Sequence, residues 1–260
     1  MIVVDTCQLG TRVDPRTHLS VVRTPPVTPS VVQRLWGWML DYCYVVYWMV
    51  RGFFSKSSPD SFLRPQTGPR TPILLIPGVY ENWRFMEPIA AHLYRAGHPV
   101  HALDKLGYNT GAIPAMAVIV SEYLKNLDLR DVVLIAHSKG GLIAKQALGA
   151  PDTFRRVKHV IAINTPFSGS RYANLFLLPS VRVFSPTGSV IRQLALNLAI
   201  NRQISSLYSV FDPHIPETSH LNGAENIVLP TVGHFRLIGN PLTVETIDRI
   251  LTRLAESQSE

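Results

Sequence analysis

A serine stands at position 138 in the run Ala136-His137-Ser138-Lys139-Gly140-Gly141, directly after the apolar segment "DVVLIA" at 131–136. A serine hydroxyl is a weak nucleophile until a neighbouring base takes its proton. It also has to be lifted clear of its own strand. Small residues permit the sharp strand-to-helix turn that does this, and here Ala136 lies two positions before the serine and Gly140 two positions after it. The spacing is that of G-x-S-x-G with alanine at the first glycine, a mild exchange because only a small side chain is required. Two more residues of the right kind follow short apolar runs. Asp212 comes after "ISSLYSV" (204–210), and His234 comes after "NIVLP" (226–230) and Gly233. In the order Ser138, Asp212, His234 they supply a nucleophile, an acid that orients an imidazole, and a general base for acyl transfer. The tetrahedral intermediate of that chemistry needs two N–H donors aimed at its oxyanion. The backbone N–H of Lys139 is one. Val79 is the choice for the other, in "LLIPGVYENW", where Gly78 lets the loop pass close by and Tyr80 lines the site.

Other titratable residues have lesser roles. His137 adjoins Ser138, but neighbours on a strand point to opposite sides, so a packing or hydrogen-bonding role is expected. Asp104, at another strand end, is a reserve acid, and Glu217 is a weaker one. His98, His101, His214 and His220 read as surface or loop residues. The Lys139 side chain either reaches solvent or meets an acidic substrate group.

The elements that must position these residues alternate. Apolar strands at 73–77, 99–103, 131–136, 157–164, 204–210 and 226–230 are separated by helical spacing at 83–97, 114–127 and 140–148, and a final helix covers 243–256. Continuously apolar strands with helices between them imply an α/β fold, a mostly parallel sheet of about six strands covered on both faces. The interval 168–203 breaks the rhythm and reads as an apolar cap or lid over the carboxyl ends of the strands. Its Leu175 and Leu178, with Tyr80 and Phe167, are expected to line the substrate pocket. Upstream, residues 1–30 read as a poorly ordered tail. Residues 31–54 read as one helix packed on the body, and 55–70 as a linker rich in Ser and Pro, which leaves 71–260 as the main domain.

The stretch from Ile73 onward resembles the α/β-hydrolase superfamily on its lipase and esterase side, and in particular compact actinobacterial hydrolases. "PGVYE-W-F", "AHSKGGL", "TPF-GSRYA", "FDPHIP" and "GHFR" carry the likeness. It implies Ser138 as nucleophile, His234 as base, Asp212 as orienting acid, and Val79 and Lys139 as the oxyanion hole. The expected activity is a serine hydrolase that cleaves small-molecule or lipid acyl esters through an acyl-enzyme, with no metal or organic cofactor. The same residues could pass the acyl group to an alcohol instead of water. A non-catalytic binding module of this fold would usually have lost one of the three.

Composition narrows the setting. The 260 residues carry 25 Lys and Arg against 18 acidic residues, a net charge of +7, scattered rather than blocked. No helix-turn-helix signal or aromatic-basic cluster accompanies that charge, so nucleic acid is not an expected partner; an anionic membrane surface fits it as well. Cys7 and Cys43 are too few for a disulfide framework, and no cleavable signal peptide is seen. A cytoplasmic protein is expected, with possible peripheral membrane contact. The 31–54 helix has 16 residues between Arg34 and Arg51, with Asp41 near their middle. That is short for a span of about 20 apolar residues. The stripe Leu35, Met39, Tyr42, Val46, Val50 and Phe53 is expected to face the body, with Asp41 hydrogen-bonded.

Overall fold

The computed structural model describes residues 28–55, 57–65, 70–175 and 177–257. Nearly all of the expected N-terminal tail lies outside them. Six strands form one sheet: β1 (Ile73–Ile76), β2 (Val100–Ala102), β3 (Val132–His137), β4 (Val157–Ile163), β5 (Ile204–Phe211) and β6 (Glu225–Val232). They lie in the order β2-β1-β3-β4-β5-β6, and every pairing is parallel.

The strand sequences explain this arrangement. Side chains alternate between faces along a strand, and each face here has its own core. Leu74, Ile76, Leu134, Ala136, Val160 and Ala162 belong to one buried cluster. Ile73, Leu75, Val133, Ile135, Ile161 and Ile163 belong to the other. Both faces are apolar, so both need helices. Pro230 sits in β6, which is an edge strand, where a missing ladder donor is tolerated.

Among the described residues there are eight α-helices. α1 is Val31–Phe54, α2 Glu87–Arg95, α3 Ile113–Asn126, α4 Lys139–Leu148, α5 Pro151–Arg156, α6 Pro179–Arg182, α7 Ser189–Leu196 and α8 Pro241–Glu256. The cap between β4 and β5 holds α6, α7 and two short 3-10 turns, Arg171–Leu175 and Ala199–Gln203. The apolar spacing of 190–203 would suit one helix, but α7 stops after Leu196, where Asn197 leaves helical geometry at ψ 85°. α5 had no counterpart in the sequence reading.

α1 begins at a capping box, with Ser30 and Gln33 exchanging side chain and backbone bonds. Its orientation differs from the expected one. Leu35, Met39, Val46, Val50 and Phe53 are all exposed, Phe53 at 83%. The residues that α1 buries are Gly37, Asp41 and Gly52. The helix touches the body through Tyr44, Val45 and Trp48, which pack against the core cluster of Ile73 and Leu75, and through small residues that let its backbone approach closely: a Cβ on Gly37 would collide with the Val232 side chain. Its apolar residues mostly face outward. No described helix is long and apolar enough to cross a membrane.

Candidate active site

Ser138 closes β3 and caps α4 at its N-terminus, with φ 50° and ψ −119°. A non-glycine residue there costs roughly 1–3 kcal/mol and persists only where the surroundings enforce it. Ser138 N–H donates to the Ile163 carbonyl at 2.9 Å, and its own carbonyl accepts from Gly141 N–H at 3.1 Å. The two glycines have separate reasons. A Cβ on Gly140 would strike the Ile76 carbonyl, and one on Gly141 would strike Thr165 Oγ1. The turn is therefore wedged between β1 and the end of β4, and the serine is held at the rim of the sheet.

Ser138 Oγ lies 3.0 Å from His234 Nε2, and His234 Nδ1 lies 2.6 Å from Asp212 Oδ2. The second oxygen of Asp212 accepts the N–H of His214 at 2.8 Å and that of Ile215 at 3.2 Å. The carboxylate thus cannot swing away from the imidazole. All three residues are buried, with exposures of 4–9%. Burial disfavours the charged imidazole, but the charge and hydrogen bond of Asp212, helped by Asp41 and Glu81, outweigh it and raise the His234 pKa. Neither reserve acid has this position. Asp104 is exposed at the head of a short 3-10 turn, and Glu217 is paired with Arg171 at 3.0 Å.

Val79 follows Gly78 beyond the end of β1, next to β3 in the sheet, and borders the same cavity as Ser138. Lys139 is the first residue of α4, so its N–H belongs to the positive end of a helix. The Lys139 side chain reaches neither solvent nor cavity. It is fully buried, and its ammonium donates to the carbonyls of Asn109 at 2.7 Å and Gly111 at 2.5 Å. Burial lowers its pKa to about 8. Asn109 in turn donates to the Pro77 carbonyl at 2.7 Å, and Tyr80 N–H donates to the Tyr108 carbonyl at 2.8 Å. Lys139 therefore ties the 108–111 loop under the turn that carries Val79.

The cavity measures about 820 Å³ and is largely apolar. Cap residues, among them Tyr172, Leu175 and Phe184, form one side. The other side comes from α1, with Leu35, Trp38 and Met49. The expected pocket residues divide. Tyr80 and Leu175 line it, and the Tyr80 hydroxyl hydrogen-bonds Ser180 Oγ at 2.6 Å. Phe167 does not: it is 5% exposed and borders a separate cavity of about 410 Å³ beside Lys145. It points away because the chain leaves β4 through Thr165-Pro166 and turns back at Gly169, φ 80°. Leu178 lies outside the cavity as the exposed cap of α6, at 54%.

Several participants were not legible as such. His214 packs on the His234 ring at 5.0 Å between centroids and meets the Tyr42 hydroxyl at 3.1 Å. Burial, then the His234 charge, lowers its pKa to about 4, so it stays neutral. His98 and His101 are buried rather than superficial. His137 sits with Nδ1 2.8–2.9 Å from both Glu81 oxygens and Nε2 3.1 Å from the His234 carbonyl. The Gly78-x-x-Glu81 spacing was the available signal: Glu81 also accepts Gly78 N–H at 2.7 Å and closes that turn. Among the described residues, Asp212, His214 and His234 form the one group with a metal-like donor set, within 4.8 Å of one another. Within it, His234 Nδ1 already faces Asp212, and its Nε2 faces Ser138.

Residues 71–184 match the family described as the alpha/beta hydrolase fold. The chain is similar to Aspergillus fumigatus lipase B at 18% identity and a TM-score of 0.60, over 76% of this chain and 58% of that one. It is similar to the mature form of Bacillus licheniformis lipase BlEst2 at 15% and 0.56, over 72% and 94%. A thermophilic esterase from Thermogutta terrifontis matches at 16% and 0.53, over 72% and 92%. The protein has the α/β-hydrolase fold. At these identities the likeness is one of architecture, and its closest chemical content is that these neighbours are lipases and esterases.

Proposed function

We propose that the protein is a serine hydrolase that cleaves acyl esters. The observation that carries this reading is the continuous line from Asp212 through His234 to Ser138, with spacings of 2.6 and 3.0 Å. His234 takes the Ser138 proton as Oγ attacks the ester carbonyl. Asp212 holds the imidazole tautomer and stabilises the imidazolium. The N–H groups of Val79 and Lys139 meet the oxyanion, each donor worth roughly 3 kcal/mol. The alcohol leaves with the proton from His234, and water then releases the acyl group from Ser138. The direct test is a fluorophosphonate probe. It should label wild-type protein on Ser138, located by peptide mass spectrometry; an unlabelled, folded protein would overturn the reading.

The cavity supports an apolar acyl chain. A cavity of about 820 Å³ is within the usual range for small-molecule sites, roughly 300–1,000 Å³. Each buried methylene contributes up to about 0.8 kcal/mol. Across p-nitrophenyl acetate, butyrate and octanoate, kcat/KM is therefore expected to rise. A flat or falling series would show that the acyl chain does not enter this cavity.

The setting proposed is cytoplasmic with peripheral contact at an anionic membrane surface. On α1, Trp36, Tyr47, Phe53 and Phe54 are 57–83% exposed, and Asp41, its single acidic residue, is buried. That face thus presents aromatic rings beside Arg51, which is half exposed and also meets the Glu87 carboxylate at 3.3 Å; exposed rings near a cation suit a membrane interface. The protein should co-pellet with vesicles containing phosphatidylglycerol at low salt and be released by high salt. Absence of binding would remove the proposal. A doubled solution mass that Phe53→Ser and Phe54→Ser abolish would reassign the face to a second copy of the chain.

A further inference from the structure

His234 lies in the loop between β6, which ends at Val232, and α8, which begins at Pro241. No strand or helix fixes its backbone, so other groups must. On the N–H side, Asp41 takes three consecutive amides. Its Oδ2 accepts from His234 N–H, and its Oδ1 accepts from Phe235 and Arg236 N–H, all at 2.8 Å. On the carbonyl side, the His234 oxygen accepts from Asn164 Nδ2 at 2.9 Å and lies 3.1 Å from His137 Nε2. The Glu81 carboxylate holds the far nitrogen of His137.

The Asp41 contact is built at some cost. Asp41 is fully buried, and no cation pairs with it among the described residues. A buried carboxylate is expensive unless its oxygens are well hydrogen-bonded. Here the donors are backbone amides in succession, the arrangement of an anion-binding nest. The loop is shaped to allow it. Gly233 has φ +125°, and a Cβ there would lie 2.7 Å from Asp41 Oδ1. Asp41 comes from α1, outside the 71–184 segment that matches the hydrolase family.

We propose that Asp41 is a positioning residue of the active site: by clamping the amides of residues 234–236 it sets where the His234 imidazole stands relative to Ser138, so that α1 is part of the catalytic apparatus. This rests on the serine hydrolase reading. It differs from simple anchorage of α1, which any packing contact on the helix could provide.

The experiment compares Asp41→Asn, Asp41→Glu and Trp48→Ala on p-nitrophenyl butyrate. Trp48 is a half-buried residue of α1 that does not line the cavity. Asp41→Asn turns one acceptor into a donor that faces an amide. It should lower kcat about 10–100-fold with KM within about twofold, the scale on which misplaced catalytic geometry is felt. It should also move the acid limb of the pH profile. Around the imidazole, Asp212, Asp41 and Glu81 favour its protonation, and the His137 and His214 rings pack against it at 4.9 and 5.0 Å between centroids. Removing the Asp41 charge lowers the His234 pKa, so the limb moves to lower pH. Asp41→Glu keeps the charge but misplaces it; kcat should fall with the limb unmoved. Trp48→Ala should lower Tm and leave both kcat and the limb unchanged. Unchanged kcat in both Asp41 variants overturns the proposal, as does a Trp48→Ala profile that matches Asp41→Asn. If Asp41→Asn does not fold, Asp41→Glu decides by kcat. A wild-type protein that fluorophosphonate does not label would sink the hydrolase reading instead.

Discussion

Ser138→Ala is expected to reduce ester turnover by roughly 10⁴- to 10⁶-fold, the scale seen when a nucleophile of this kind is removed. The substitution takes away one oxygen. The alanine methyl fits the same space, because it is the serine side chain without its oxygen, and what is lost is the contact of Oγ with His234 Nε2. The fold should therefore be kept. Stability should change by less than about 1 kcal/mol either way, since one hydrogen bond of net worth near that value is lost, and the cost of φ 50° is nearly the same for alanine. Substrate binding should persist, because the cavity walls and the two N–H groups are untouched. The measurement is kcat by p-nitrophenolate release, with Tm by calorimetry as the control. Loss of activity together with a collapsed Tm would not count in favour. Wild-type turnover in Ser138→Ala would remove the serine mechanism outright.

Much of this arrangement is written in local patterns. The strands are legible because a sheet buried on both faces requires unbroken apolar runs, and Val132–Ala136 or Val160–Ile163 cannot easily be anything else. Ser138, Asp212 and His234 stand out because polar residues that follow such runs emerge at the same edge of a parallel sheet. What stays hidden depends on contacts distant in sequence. The inner face of α1 runs through Gly37, Asp41, Tyr44, Val45, Trp48 and Gly52, so its one acid and its smallest residues are the most deeply buried. Hydropathy points the other way, because it registers apolar side chains and not glycines that allow close backbone approach or a carboxylate that meets three amides. Asp41 is 193 residues from His234, and nothing local links them. Lys139 reads as a surface lysine until two carbonyls from the 109–111 loop are placed around it. Phe167 and Leu178 fail as pocket residues for a related reason. Their direction is set by the turns at Gly169 and the start of α6, and not by their own apolarity.

Asp212→Asn is the companion result, and its signature differs from that of Ser138→Ala. In the proposed mechanism, His234 Nδ1, 2.6 Å from Asp212 Oδ2, carries the proton and donates it there, which leaves Nε2, 3.0 Å from Ser138 Oγ, bare to take the serine proton. An asparagine at 212 can present its NH₂ to Nδ1. The imidazole then carries its proton on Nε2, the wrong nitrogen, and turnover should fall roughly 10⁴-fold with the geometry intact. The pH dependence gives an independent check. The base must be neutral to act. Asp212 is the largest influence raising the His234 pKa above its ordinary value of 6.5, against burial. Wild-type kcat/KM should thus be full at high pH and decline as pH falls through that raised pKa. In Asp212→Asn the residual activity should decline at a lower pH, because burial is then opposed only by the more distant Asp41 and Glu81. Asp104→Asn should keep both the rate and the limb. An active Asp212→Asn with an unmoved limb, beside an inactive Asp104→Asn, would transfer the role of the acid and undo this assignment.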